Sequence, residues 1–497
     1  MKSSSKFYSD KEAFWERYWD VFLILLLAAL SYSIYGAPYS FRFNSDDGVH
    51  VLMAADFNWQ KDFYFWAQNR LGSLSPFLAS WLVDIGIHPL HAISIIKYGW
   101  LLCSIMLARD LIRNQTLVSI LAVAIFFPSV FYFRIVQPAH PYPEQIFAML
   151  LATRILAHSL KTGADPGAFK TGMLGFILAV AFWVNDSTFV FLGIFLLSTV
   201  AAIALNIIKL SSQSIVSFIV CLTLPFTYII FRKSTTRDYT GYAEQSINSI
   251  PVFFNSSVSW LRPYGNMFLS DVEITRPFAY SLLVPIFIGM SLILIVTHIR
   301  LKPSFLRDNL GSLVLILTSI AIYALVCMSE WYIKNGSNSR YLISAFYVFS
   351  IGVLWMIKSS PKRKGVILVF SLVTLLGAST GLTMKRDDRF SISANERHEL
   401  LQLYDKGIIG SYWFSYAISA QNPERIAATP RQGDWMRNHT EKKKVLSRDT
   451  IFIVRNLWLE SYPKTLNQYG TQLKLVDPIY EIKVGNAEMA AYQKIHN

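Results

Sequence analysis

An acidic pair stands in the run Asn44-Ser45-Asp46-Asp47-Gly48, just beyond the first strongly apolar stretch of the chain. A carboxylate held at the edge of such a stretch can act as a general base and take a proton from an attacking hydroxyl. The same residues also suit a helix start, with Ser45 as the cap and the two acidic side chains set against the helix dipole. A cap, however, needs only one of them. Arginines are the second signal. Arg70 lies in Trp66-Ala67-Gln68-Asn69-Arg70-Leu71-Gly72, and Arg134 precedes Gln137-Pro138-Ala139-His140-Pro141-Tyr142-Pro143-Glu144. Arg340 belongs to a segment that opens on Glu330-Trp331-Tyr332 and closes on Ser339-Arg340-Tyr341. A guanidinium grips phosphate oxygens in a bidentate fork, so all three are candidate phosphate-binding groups. A lone Arg at a span end also snorkels to an interface. Arg340 has the stronger case, because Asn335 to Ser339 before it are small and polar. Asn69, His140, Glu144, Glu330 and Tyr341, carried by the same segments, are candidate substrate contacts. His140 has no second ligand at metal spacing, so no metal site is expected there. Asp186, in Asn185-Asp186-Ser187, reads mainly as a turn residue.

What must position these residues is a bundle of apolar helices. Of the 497 residues, 53% are hydrophobic and 16% charged, and mean hydropathy is +0.36. A soluble chain carries about 25% charged residues, which excludes an ordinary cytosolic enzyme as well as a disordered chain or a coiled coil. The composition fits a polytopic α-helical membrane protein. Eleven apolar stretches are long enough to count as spans: 21–35, 92–108, 117–133, 144–160, 171–184, 188–208, 215–231, 278–299, 310–328, 341–357 and 365–384. Cys103, Cys221 and Cys327 all fall inside such stretches, so neither a disulfide framework nor a thiolate metal site is expected.

The formal charge of +14 invites a nucleic-acid reading. Its distribution argues otherwise. With the N-terminus cytoplasmic, the inner segments carry Lys2, Lys6, Lys11 and Arg17, then Arg109 and Arg113, then Lys161 and Lys170. They continue with Lys209, with Arg300, Lys302 and Arg307, and with Lys358, Lys362, Arg363 and Lys364. The short outer loops hold only Arg134, Lys334 and Arg340. This is the positive-inside pattern, and nucleic acid is not an expected partner. Three outer segments are long: 36–91, 232–277 and the tail from Lys385. In the first, Val49-Leu52-Met53 and Leu78-Trp81-Leu82 are spaced like helices lying along the membrane interface. The tail predicts a small soluble α/β domain, 385–497, beside a membrane module, 1–384. Its Asn395–Lys406 stretch reads as a helix with Gly407 as C-cap, and 450–454 and 480–484 read as strands.

This pattern resembles the GT-C superfamily of integral-membrane glycosyltransferases, in the bacterial branch that uses polyprenyl-phosphate sugars. Asp46-Asp47 in a first outer loop looks like the family's acidic motif. Gln68-Asn69-Arg70-Leu71-Gly72 and Ser339-Arg340-Tyr341 look like its loop motifs, and Lys406-Gly407-Ile408-Ile409-Gly410-Ser411-Tyr412-Trp413 is similar to the start of its soluble domains. The resemblance implies an inverting transfer of one sugar from a polyprenyl-phosphate donor to an outer-face glycan or lipid-linked acceptor, as in cell-envelope or O-antigen modification. It implies a bacterial inner membrane, with the tail periplasmic. Asp46 or Asp47 would be the base and Arg340, Arg134 or Arg70 the phosphate clamp. No redox cofactor is required, and nothing in the sequence calls for a divalent metal. An O-antigen polymerase or ligase is the alternative enzyme, but the large loop 232–277 holds Arg237, Arg262 and Arg276 and no His. A lipid-glycan transporter or flippase is the alternative without catalysis. It would show repeats or paired charges in mid-span, and Arg154 is the clearest mid-span charge, with no evident partner.

Overall fold

The computed structural model describes residues 3–236, 276–299, 303–334, 339–358, 360, 363–383, 394–455, 458–476, 481–485 and 487–495. Most of the loop expected at 232–277 lies outside them. Every one of the eleven apolar stretches carries a helix. These are α1 (Ser3–Tyr35), α4 (Pro89–Ile112), α5 (Gln115–Phe126), α6 (Tyr142–Thr162), α7 (Ala168–Val184) and α8 (Thr188–Ala204). They continue as α9 (Ser212–Thr235), α10 (Arg276–His298), α11 (Pro303–Met328), α13 (Ile343–Ile357) and α14 (Arg363–Leu382). Seven, within Tyr18–Tyr35, Pro89–Ile112, Ser212–Thr235, Ala279–Thr297, Ser304–Met328, Ser339–Ile357 and Arg363–Leu382, are long and apolar enough to cross a membrane. Helices α5, α7 and α8 are apolar but shorter.

The third stretch differs from its expected length. Helix α5 ends at Phe126 rather than near 133, and a single 3-10 turn, Phe133–Ile135, follows. Pro128 explains the stop, because it lacks an N–H and biases the residue before it away from helix. The segment thus freed, 127–141, becomes a folded loop at the site described below. The short α7 is held by close approach. A Cβ on Gly175 would meet the Phe218 carbonyl oxygen of α9 at 2.5 Å, and one on Gly172 the Ser217 Oγ at 2.5 Å. Small residues let the two backbones meet, the usual device where lipid removes any hydrophobic drive between helices. Helix α13 is buried along most of its length and forms the centre of the bundle.

Helices α2 (Ser45–Ala55), α3 (Leu74–Asp84) and the short α12 (Glu330–Lys334) sit at one end of the bundle. Helix α2 does not lie along an interface with one face down. Val49 and Met53 are fully buried and Leu52 nearly so, but the helix is enclosed all round, with nine of its eleven residues buried. Helices α3 and α4 pack against it on one side and the C-terminal domain covers the other. Helix α15 (Tyr412–Ser419) packs across α2 at Gly48, where a Cβ would meet the Tyr416 carbonyl oxygen at 2.4 Å. Helix α3 keeps Trp81 exposed.

The domain itself is a seven-stranded mixed sheet in the order β2-β1-β3-β7-β5-β4, with β6 also paired to β7. Strands β1 (Gly407–Gly410), β2 (Ala427–Pro430) and β3 (Thr450–Arg455) are parallel. Strands β4 (Thr465–Gln468), β5 (Thr471–Leu475), β6 (Glu481–Val484) and β7 (Ala487–Lys494) complete it with antiparallel pairings. The strands predicted at 450–454 and 480–484 are found at Thr450–Arg455 and Glu481–Val484, position 480 lying outside the described residues. The expected helix Asn395–Lys406 is instead a 3-10 run, Ala394–Leu403, and Gly407 starts a strand rather than capping a helix. Its lack of a side chain serves packing: a Cβ there would meet the Val445 carbonyl oxygen of α16 (His439–Ser447) at 2.9 Å.

Candidate active site

The start of α2 separates the two acidic residues. Asn44, not Ser45, is the N-cap: its Oδ1 accepts the Asp46 N–H at 2.9 Å and the Asp47 N–H at 3.3 Å. Asp47 Oδ2 accepts the Asn44 N–H at 3.2 Å, closing a capping box. Ser45 Oγ donates instead to the Tyr412 carbonyl and ties α2 to the C-terminal domain. Asp47 is fully buried. Its Oδ1 accepts the Ala139 N–H at 3.0 Å and its Oδ2 the Gln137 amide at 3.3 Å. It therefore clamps α2 to the 127–141 loop. Burial pushes its carboxyl up to about 7, against the pull of the hydrogen bonds from Ala139 and Asn44.

Asp46 faces elsewhere, as neighbours on a helix must, about 100° apart. It is half-buried and lines a cavity of about 310 Å³. Tyr412 Oη donates to Asp46 Oδ1. The Tyr412 hydroxyl is held well above its usual range, first by burial and then by the Asp46 charge, so it stays a donor. Arg70, Arg340 and Arg437 line the same cavity, as do His140, Tyr341 and Asp186. Arg340 lies over the Tyr341 ring, 4.6 Å from its centroid, with Nη2 at 2.5 Å from the phenol oxygen. Arg70 Nε donates to Gln68 Oε1 at 3.3 Å. Arg437 sits between the rings of Phe65 and Tyr412, at 5.4 and 5.2 Å from their centroids, and its Nε donates to Tyr412 Oη at 3.3 Å.

Arg134 supports the site without lining it. Its Nη1 is 3.0 Å from His140 Nε2. Burial, then the Arg134 and Arg340 charges, depress the His140 imidazole well below its usual value, so the ring is neutral and Nε2 accepts from Arg134. Lys97 Nζ donates to the His140 carbonyl at 2.6 Å and pairs with Glu144 Oε1 at 2.6 Å. Glu144 also accepts from Ser75 Oγ. Glu144 is thus enclosed in an ion pair behind the cavity rather than exposed to a substrate. Asn69 donates to the Lys233 carbonyl at 3.5 Å and fastens its loop to α9. Neither Asn69, Glu144 nor Glu330 lines the cavity.

Three groups that line it carry no local signal of function in the sequence. Tyr412 and Arg437 come from the domain beyond the bundle, nearly four hundred residues from Asp46. Asp186 is more than a turn residue: it pairs with Lys233 of α9 while lining the cavity. Arg154, expected unpaired in mid-span, instead makes a 2.6 Å ion pair with Asp110 at the opposite end of the bundle. Among the described residues, no three or more His, Cys, Asp or Glu are grouped to hold a metal.

No protein-family model matches this sequence, and no curated protein matches it. Solved structures match in chain course. ArnT from Cupriavidus metallidurans in the apo state is 10% identical, covers 97% of this chain and 98% of its own, and has a TM-score of 0.45. The same protein bound to undecaprenyl phosphate is 9% identical over 95% of this chain and 97% of its own, with a TM-score of 0.42. The Archaeoglobus fulgidus oligosaccharyltransferase tethered to an acceptor peptide is 11% identical over 88% of this chain and 69% of its own, with a TM-score of 0.43.

Proposed function

We propose that this chain is an inverting glycosyltransferase. It moves one sugar from a polyprenyl-phosphate donor to a hydroxyl of a glycan or lipid-linked acceptor, at the outer face of a bacterial inner membrane. The observation that carries this reading is the cavity at one end of an apolar bundle that Asp46 shares with Arg70, Arg340 and Arg437, while the other lining carboxylate, Asp186, is paired with Lys233. The GT-C-like motifs of the sequence fall in the same place. In the proposed step the acceptor oxygen attacks the anomeric carbon and gives its proton to Asp46. The bond from that carbon to the phosphate oxygen breaks, and polyprenyl phosphate leaves with the electron pair. One displacement inverts the centre. Tyr412 engages Oδ1 of Asp46, so Oδ2 is the oxygen that the acceptor reaches. Arg340 and Arg70 hold the donor phosphate, and Arg134 acts through His140 to keep the loop beneath them in place. Negative charge grows on the departing phosphate, beside Arg340 and Arg70, and positive charge on the sugar and the attacking oxygen, beside Asp46; neither is developed in the ground state, so these fixed groups favour the transition state.

The test uses purified full-length protein in nanodiscs, polyprenyl-phosphate pentoses and hexoses as donors, and bacterial envelope glycolipids as acceptors. Release of polyprenyl phosphate with a glycosylated acceptor is expected. Asp46→Asn keeps size and hydrogen bonding but cannot take the proton, so turnover should drop by roughly 10²–10⁴-fold with donor binding retained. Full turnover by Asp46→Asn, or movement of the lipid-linked sugar across the bilayer without release, refutes the proposal.

A further inference from the structure

Helices α6, α11 and α13 each reach the Asp46 cavity with one end. Tyr142 opens α6, Val326 is near the close of α11, and Ser344 is near the start of α13. Their other ends meet in a second cavity of about 860 Å³, lined through Arg154, His158 and Lys161 of α6, Arg307 and Asp308 of α11, and Trp355 of α13. Along α6, Tyr142 at the first cavity and Arg154 to Lys161 at the second are 12 to 19 positions apart, which at about 1.5 Å each separates the two cavities by roughly 18–28 Å. The second cavity is not part of the proposed transfer site.

Its charge is what distinguishes it. Six cations line it, Arg109, Arg113, Arg154, Lys161, Arg307 and Lys358, against three carboxylates, Asp20, Asp110 and Asp308. Two of those carboxylates are committed: Arg109 binds Asp20 with Nε at 2.6 Å and Nη2 at 3.2 Å, and Arg154 binds Asp110 at 2.6 Å. The formal excess is three positive charges in one concavity. Lys358 is held in place there, its Nζ donating to the Leu111 carbonyl at 3.0 Å. Burial, and then the Arg113 and Lys161 charges, depress its amino group below the usual range. Basic residues at span ends can merely record topology. Here, however, they come from the ends of four separate helices and converge on one cavity large enough for a headgroup.

We infer that this cavity binds a phosphate-bearing anion at the end of the bundle opposite the transfer site, of the kind carried by an anionic glycerophospholipid headgroup or by free diphosphate. A headgroup would place its phosphates on the guanidinium and ammonium groups while its acyl chains stay beside the apolar helices. Such basic pockets between membrane helices suit multiply charged lipid heads.

The test is thermal unfolding and native mass spectrometry of the full-length protein, delipidated in neutral detergent. The additions are diphosphatidylglycerol, phosphatidylcholine or inorganic diphosphate. The unfolding midpoint should rise with the logarithm of diphosphatidylglycerol concentration, with one lipid retained per chain, and phosphatidylcholine should not produce the rise. Arg113→Gln and Lys161→Gln, taken singly, should each weaken binding roughly fivefold, the equivalent of about 1 kcal/mol per charge near a lipid surface. Arg113→Lys, which keeps the charge, should restore most of it and shows that the fold tolerates the position. Protection by lipid alone identifies a headgroup site, and protection by diphosphate as well identifies a site for the phosphate itself. Equal protection by phosphatidylcholine, or protection unchanged in both Gln variants, overturns the inference.

Discussion

At the residue scale, Asp46 and Asp47 are adjacent, acidic and differently employed. Asp47 is sealed in and satisfied by donors from Asn44, Ala139 and Gln137, whereas Asp46 meets Tyr412 and the cavity. The difference has a pH signature. Asp47 is raised by burial from 3.8 to about 7 in the folded protein. An acid raised in this way contributes stability that is full below pH 4 and lost as pH rises through 7. The whole contribution is on the order of 4 kcal/mol. Asp47→Asn never ionises, so its stability should lack this decline. Unfolding midpoints of both proteins between pH 5 and 8 check it: the variant should gain on the wild type as pH rises, and parallel curves would count against the burial of a charge at Asp47. The absolute stability of the variant is a poorer guide, because an amide has one acceptor oxygen where the carboxylate has two.

At the element scale, the site depends on how closely α15 lies on α2. Gly48 permits that contact, with the Tyr416 carbonyl oxygen only 2.4 Å from where a Cβ would stand. Tyr412, four residues before Tyr416, is delivered to Asp46 by the same docking. Gly48→Ala should force the helices apart and destabilise the protein by about 1–3 kcal/mol, with the proposed transfer reduced as Tyr412 moves off Asp46. Gly193 in α8 provides the contrast, since a Cβ there meets nothing within 4 Å. Gly193→Ala should be neutral or slightly stabilising, because alanine is the better helix former. Calorimetry of the two variants separates the effect of crowding from that of glycine removal in general.

At the scale of the whole molecule, the segments expected outside the membrane gather at one end among the described residues, which exclude most of 232–277. The 36–91 segment, the 127–141 loop, the Asn185-Asp186-Ser187 turn, Tyr332, Arg340 and Tyr341, and the C-terminal domain meet around one cavity. The basic ends of α4, α6 and α13 meet at the other. This arrangement is consistent with the alternation of basic loops, and labelling decides which end faces out. A cysteine introduced at Ser411 should react with an impermeant reagent applied from outside, and one at Ser360 should react only after the membrane is opened. The reverse result would invert the orientation and move the proposed transfer to the cytoplasmic face.

Much was legible in the sequence because its causes are local. Apolar runs near 20 residues become helices wherever they occur, since lipid leaves the backbone no other partner. The continuous apolar run 451–454 makes a strand buried on both faces, and the acidic pair after Asn44-Ser45 makes a helix start, although the cap is Asn44 rather than Ser45. Distant partners left no local mark. Whether Asp46 or Asp47 faces the cavity depends on α15, which lies 366 positions further along the chain at Tyr412. The apolar spacing of Val49, Leu52 and Met53 is the same for a helix lying on lipid and for one buried under a protein domain, and only the docked domain distinguishes them. Arg437 enters the site through packing between Phe65 and Tyr412, and Glu144 leaves it because Lys97 reaches across from α4. Pairings of this kind depend on which side chains the fold brings within a few ångströms. Composition and period set the helices, and tertiary structure decided which of their charged groups face a cavity and which face each other.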